Sequence, residues 1–241
     1  MSDMQTLRFY VTPSHNCSYL SGRQAKTLFV DPQTLITTDT YSQLSELGFR
    51  RSGSHVYRPH CEECQACQSI RIPVDFFKPS KTQRRLINMN RDLTVIRKAP
   101  CMSREYFTLY RQYIDARHAD GDMYPATPEQ FHQFLIDGAL DNSWFYEFRD
   151  PNDKLLCLAV TDHLHQSMSA LYTFFDPDET RRSLGTYAIL WQLQEASRRS
   201  MHYLYLGYWV KDCRKMRYKT AFKPMEMLID GHWTHFRQES F

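Results

Sequence analysis

Three adjoining stretches decide the fold. They are Ser169-Ala-Leu-Tyr-Thr-Phe-Phe175, Asp176-Pro-Asp-Glu-Thr-Arg181-Arg182-Ser-Leu-Gly185-Thr-Tyr187 and Tyr203-Leu-Tyr-Leu-Gly207-Tyr208-Trp209. The first and third are rich in aromatic residues, the composition of a strand. Between them, residues 184–199 place Ile189, Leu193 and Ala196 on one face at helical spacing. The order is therefore strand, loop, helix, strand. Upstream, residues 143–149 and 155–162 read as strands that lead into 169–175 through Asp150-Pro-Asn-Asp153 and His165-Gln-Ser167, so an antiparallel meander is expected. In the 203–209 strand, alternation puts Tyr203 and Tyr205 on one face and Tyr208 on the other. A basic helix over about 211–220 and a strand pair over 224–237 complete this half.

The first half is also mixed α and β. A strand is expected over 5–12, a helix over 40–47 stopped by Gly48, and a hairpin over 49–58 around Ser52-Gly-Ser54. Ile70, Ile72 and Val74 alternate as a strand, and Pro73 marks it as an edge. Ser80-Lys-Thr-Gln83 is a capping box for a helix to about Asn90, and 93–97 is a strand. Further on, a helix is expected over 103–118, and Thr127-Pro128-Glu-Gln130 opens another. The expected class is α+β, divided at Ala99-Pro-Cys-Met102 into a Cys-containing N-terminal domain, 1–100, packed on a C-terminal domain, 101–241.

Composition sets bounds on function. A net charge of +3 over 241 residues does not by itself mark a nucleic-acid binder, so the placement of charge must decide. No apolar run is long enough to cross a membrane, and no secretory leader is read at Met1–Tyr10, which makes the cytoplasm the expected compartment. The seven cysteines are then expected to be reduced. No Walker, G-x-S-x-G, H-E-x-x-H or dinucleotide motif occurs, so an ATPase, serine hydrolase or dehydrogenase has no support.

Three features could carry chemistry. His60-Cys61-x-x-Cys64-x-x-Cys67, with Cys17, offers thiolate and imidazole donors for a structural zinc or an iron–sulfur cluster; the same thiols also read as small buried hydrophobes. Basic residues cluster from Lys78 to Lys98 (seven, with Asp92 the one acid) and from Lys211 to Lys223 (six, with Asp212), as a phosphate backbone requires and as two solvated faces would also show. Arg182 and Gly185 precede a helix, where backbone N–H groups attract anions. Just past the last aromatic strand, Tyr208, Lys215, Tyr218 and Lys219 are candidates to line a cleft.

The strand, R-x-x-G, helix, strand order resembles the acyl-CoA acetyltransferase fold, although Tyr187 stands where that loop has a small residue. More of the chain resembles the arginyl-tRNA–protein transferase family. The matching residues are Cys17-Ser-Tyr-Leu20, Tyr57-Arg-Pro-His60-Cys61-x-x-Cys64-x-Ala-Cys67-x-Ser-Ile-Arg71, Phe77-x-Pro79-Ser80-Lys81-x-Gln83-Arg84-Arg85, Gly121-Asp-Met123-Tyr124, Tyr203-Leu-Tyr-Leu-Gly207-Tyr208-Trp209 and Lys215-Met-x-Tyr218-Lys219. The short length and C-x-x-C-x-x-C resemble its bacterial branch, which moves leucine from leucyl-tRNA to the α-amine of proteins beginning with Asp or Glu and so marks them for degradation. The resemblance implies an acetyltransferase-like (GNAT-like) sheet and no required cofactor. An aminoacyl ester is already activated, so positioning and oxyanion stabilisation suffice. Tyr208, Lys215, Tyr218 and Lys219 are the expected catalytic donors. Arg71, Arg84 and Arg85 are expected to read the acidic side chain, and Lys78 and Lys81 the tRNA; Tyr124, Arg182 and Gly185 complete the expected substrate contacts. The rival readings are an acetyl-CoA-dependent N-acetyltransferase and a non-catalytic zinc-dependent RNA-binding module.

Overall fold

The computed structural model describes residues 7–121 and 123–236. Residues 5, 6 and 237 of the expected terminal strands, and Asp122, lie outside them. In the first half, strands β1 (Phe9–Val11), β2 (His15–Asn16), β3 (Gln24–Ala25) and β4 (Thr27–Val30) precede helix α1 (Thr38–Glu46); strands β5 (Arg50–Ser52), β6 (His55–Pro59) and β7 (Gln68–Pro73), helix α2 (Lys81–Met89) and strand β8 (Thr94–Lys98) follow. The second half holds α3 (Arg104–Arg117), α4 (Pro128–Leu135), β9 (Ser143–Arg149), β10 (Leu155–His163), β11 (Ser167–Phe175), α5 (Leu184–Arg198), β12 (Tyr203–Trp209), β13 (Glu226–Ile229) and β14 (His232–His235).

Local chemistry sets the boundaries. Gly48 takes φ +85° two residues after α1, a conformation glycine adopts without a Cβ penalty. Both expected capping boxes are formed: Ser80 Oγ accepts from Gln83 N–H at 3.3 Å, Thr127 Oγ1 accepts from Gln130 N–H at 3.2 Å, and each glutamine accepts from its cap residue in return. The basic segment after β12 is helical, as expected, and takes the form of a 3-10 helix, Arg214–Ala221.

Eight strands form the main sheet in the order β14-β13-β7-β12-β11-β10-β9-β8. The meander β9-β10-β11 is antiparallel, and β11 and β12 run parallel across the α5 crossover. β7 is not an edge: it lies between β12 and β13. Pro73 is tolerated because it ends the strand. It pairs with Tyr203 of β12, whereas β13 meets β7 at Ile70 and Arg71. The sheet therefore runs across residue 100, with β7 and β8 before it and β9 to β12 after it.

Helices cover both faces, as mixed α/β layering requires. On one face α5 packs Leu184, Ala188, Leu193 and Ala196 against Ile70, Ile72, Cys157 and Leu204. On the other, Tyr106, Tyr110 and Ile114 of α3 and Phe131 and Leu135 of α4 pack on Phe145, Leu158 and Phe174. A separate four-stranded sheet, β1-β4-β6-β5, packs with α1 around Tyr41, Leu44 and Phe49 and reaches Tyr205 of β12. Its anchor is a buried ion pair, Arg51 with Asp162 of β10, at 2.9 Å from Nε and 2.7 Å from Nη2. Ser143 Oγ and the Gly53 and Gly138 carbonyls satisfy the remaining groups, as a buried pair needs in order not to cost stability. Among the described residues no helix is long and apolar enough to cross a membrane.

Candidate active site

The site is built around an irregularity in β12. Tyr205 pairs with Arg71 of β7, but Tyr208 pairs with Ser69, so three residues of β12 span two of β7. This is a β-bulge, made possible by Gly207 at φ +75°. Strict alternation fails here. Because Arg71 and Ser69 share a face, Tyr208 returns to the face of Tyr203 and Tyr205, and the Arg50 guanidinium covers both rings, at 4.7 Å from Tyr205 and 5.9 Å from Tyr208.

A bulge removes ladder partners from backbone carbonyls, and buried carbonyls must find donors. Lys219 supplies them: its Nζ donates to Leu206 O at 2.7 Å and to Tyr208 O at 2.6 Å. Burial pushes the Lys219 pKa down from 10.5 to about 8, and the Arg50 charge pushes it the same way. The carbonyls it caps belong to the part of β12 that is not paired with β11. β11 and β12 pair only from Ser167 with Tyr203 to Ser169 with Tyr205, yet β11 continues to Phe175 and β12 to Trp209. The strands part beyond that point, which leaves a notch in the sheet where the later residues of β11 have no partner in β12. The Tyr218 ring stands 5.9 Å from Lys219 Nζ and is 48% exposed.

The expected donors thus divide. Lys219 and the Tyr208 backbone meet, with Tyr218 beside them. Lys215 is held elsewhere, in an exposed pair with Asp120 at 3.0 Å. The Tyr208 hydroxyl donates to the Gly48 and Tyr57 carbonyls at 2.9 and 3.1 Å, and burial raises its pKa well above 10.

Arg71 is engaged by internal partners. It is 6% exposed, its Nη1 lies 2.7 Å from Glu46 and its Nε 2.8 Å from Glu226, and the Tyr203 and Trp233 rings stack on it at 3.6 and 4.2 Å. A substrate carboxylate would have to displace two internal ones. Arg182 is likewise paired, as a fork on Asp92 at 2.9 and 2.8 Å. Gly185 serves packing: a Cβ there would come within 3.0 Å of the Phe175 ring. Tyr124 is half-exposed in the loop between α3 and α4. On α2 and just before it, Lys78, Lys81, Arg84 and Arg85 are exposed. Arg84 donates to Pro79 O at 2.7 Å, and none of the four has an ion-pair partner among the described residues.

Cys17, His60, Cys61, Cys64 and Cys67 line one cleft of about 600 Å3, which Tyr208 also lines. Cys17 Sγ accepts from the Tyr19 and Leu20 N–H groups, each at 3.4 Å. Burial pushes the Cys67 thiol up to about 12, and Cys17, Cys61, Cys64 and Cys213 add to the effect. As placed, however, no group of three or more His, Cys, Asp or Glu among the described residues is arranged to hold a metal ion. The donors share a cleft without forming a ligand set, and no chemical step is routed through a metal here. Cys157 is in the core, as its apolar strand implies.

Two family models match the chain, the arginine-tRNA-protein transferase N terminus at residues 15–85 and its C terminus at residues 105–229. The chain is a transferase of the arginine-tRNA-protein transferase family. Among its relatives, the aspartate/glutamate leucyltransferase of Pseudomonas putida is 52% identical over 97% of this chain and 98% of its own length. That of Marinobacter nauticus is 53% identical with the same coverage. Among solved structures, FemX aligns with 9% identity and a TM-score of 0.46 over 87% of this chain and 81% of its own, a likeness too distant to argue from.

Proposed function

We propose that the protein transfers leucine from leucyl-tRNA to the α-amine of proteins whose first residue is Asp or Glu, which marks them for degradation in the cytoplasm. The observation that carries this reading is the identity of 52% over 97% of the chain with proteins of that name. The parallel β11–α5–β12 crossover, opened into a notch, supports an acetyltransferase-like sheet. Residues 101–241 would then supply the acyl site, and residues 1–100 the acceptor and much of the tRNA surface.

In the reaction the neutral amine attacks the ester carbonyl, a C–N bond forms, and the ribose C–O bond breaks. The proton lost by the amine ends on the departing ribose oxygen. The chain's task is to hold the two reactants in contact and to stabilise the oxyanion. In this reading the leucyl ester lies in the notch, the β11 edge offers backbone groups, and the Lys219 charge favours the developing negative oxygen. Tyr218 is the hydroxyl beside Lys219 that remains free to act. These steps call on no metal or other cofactor, and the clustered thiols are structural.

The test is mass spectrometry of a peptide beginning with Asp after incubation with leucyl-tRNA. A mass gain of one leucine residue at the N-terminus is expected. An acetyl gain that needs acetyl-CoA and no tRNA, or RNA binding with no peptide product, would overturn the reading.

A further inference from the structure

The charges that line the Cys cleft are mostly positive. Arg23, Lys26 and Arg58 are cations on its wall, and Asp230 is the one carboxylate in the lining. Two of the three permanent cations are engaged. Lys26 pairs with Glu62 at 2.5 Å. Arg58 donates to Leu47 O at 3.2 Å and stacks on Phe49 at 5.0 Å. The Arg23 side chain makes no hydrogen bond or ion pair with any described residue.

The Arg23 backbone, in contrast, is fixed. Its carbonyl accepts from Cys17 N–H at 2.9 Å, and its N–H donates to Leu20 O at 3.4 Å. These bonds close the turn between β2 and β3, in which Gly22 takes φ +71°. A guanidinium on an anchored backbone, facing a concave surface and lacking a partner, is arranged to take a carboxylate through two parallel N–H donors.

The cleft also adjoins the notch. Tyr208 lines the cleft, and its carbonyl accepts from Lys219 Nζ, so one residue joins the two. An acceptor bound in the cleft can therefore present its amine toward the notch. The volume of about 600 Å3 is in the range that encloses a small ligand, and Tyr19 and Tyr57 give it an apolar wall for a peptide stem.

We infer that this cleft binds the acceptor peptide and that Arg23 reads the carboxylate of its N-terminal Asp or Glu; this rests on the leucyl-transfer reading. Arg71 cannot do so without giving up Glu46 and Glu226. The open row of cations at Lys78, Lys81 and Arg85 suits an extended phosphate backbone, whereas a single unengaged fork on the wall of a concave cleft suits one carboxylate.

The test uses the full chain with peptide pairs that differ only in beginning with Asp or Asn. Direct binding is measured by calorimetry and leucine transfer by mass spectrometry. The isosteric amide cannot replace a charge-assisted pair, so wild type should prefer Asp by at least about 10-fold in both measurements. Arg23→Ala should bring the ratio near one, with KM for leucyl-tRNA unchanged. Arg23→Lys should restore it in part, because an ammonium lacks the planar fork. Retention of the full preference in Arg23→Ala would overturn the inference. So would a loss of leucyl-tRNA affinity with the preference intact, which would assign the cleft to RNA. Selective binding of the Asp peptide by wild type without leucine transfer would overturn the transfer reading and leave the acid pocket standing. Equal transfer to both peptides would do the reverse.

Discussion

His163 shows how one buried side chain sets a pH response. It is 7% exposed on β10, and its Nε2 lies 2.8 Å from the Tyr146 hydroxyl. Burial, with the Arg199 and Arg97 charges, lowers its pKa from 6.5 to about 4. Above pH 6.5 it is neutral in both folded and unfolded chains. Between pH 6.5 and 4 the unfolded chain gains a proton that the folded one refuses, so stability falls as pH falls. The loss amounts to up to about 3 kcal/mol by pH 4. Urea unfolding at intervals from pH 7 to 4 should show this slope in wild type, and His163→Gln, which keeps a partner for Tyr146, should flatten it. An unchanged slope would assign the acid sensitivity to other groups. Gly207 is a second such residue. A Cβ at φ +75° costs about 1–2 kcal/mol, and it would sit 3.8 Å from Lys219 Nζ. Gly207→Ala should therefore lower both the melting temperature and kcat, with KM for leucyl-tRNA little changed. Wild-type kcat in a destabilised Gly207→Ala protein would separate the bulge from catalysis. Lys219 and Tyr208 are visible in the sequence as neighbours of a cleft. Their roles are not, because the bulge that puts Tyr208 on the other face and leaves carbonyls for Lys219 has no signature beyond one glycine in a strand.

Helices are the most legible elements, since their ends carry local chemistry. Ser80 with Gln83 and Thr127 with Gln130 announce α2 and α4, and both boxes are formed. The short strands β2, β3 and β4 are not legible: two or four residues each are too few for a period to show. The turn that carries Arg23 lies among them, so the sequence gives no sign of the one unengaged arginine of the cleft. α2 also supports a prediction of its own. With Lys81, Arg84 and Arg85 changed to Gln, the slope of log affinity for charged tRNA against log salt should fall by about 0.7–0.9 for each phosphate no longer neutralised. Filter binding at several salt concentrations measures it, and an identical slope would reduce α2 to a solvated face. Ser80→Ala should cost about 1 kcal/mol through the cap without altering that slope.

At the scale of the whole molecule, the mixed class and the meander are readable, whereas the strand order is not. Pro73 points to an edge, yet β7 is flanked by β12 and β13, which lie far along the chain and give no local hint of pairing. The division at residue 100 follows the composition of the halves, and the family models fall on either side of it, but the sheet runs through it. Residues 101–241 expressed alone would lack β7 and β8, leaving β12 and β13 without their shared neighbour and two sheet edges open. That fragment should be insoluble or inactive in leucine transfer, as judged by gel filtration and mass spectrometry. A monomeric, active fragment would show that the second half is autonomous.

The central place of β7 has a consequence for synthesis on the ribosome. Tyr205, its neighbour in β12, lies 134 residues after Arg71. At 5–20 residues per second, β7 waits about 7–27 s for that partner. Meanwhile Ile70 and Ile72, both 0% exposed in the finished protein, have nowhere native to go. The nascent chain is thus expected to expose these residues to chaperones until β12 emerges, and codon-level slowing before β12 is expected to lower yield more than the same delay after it.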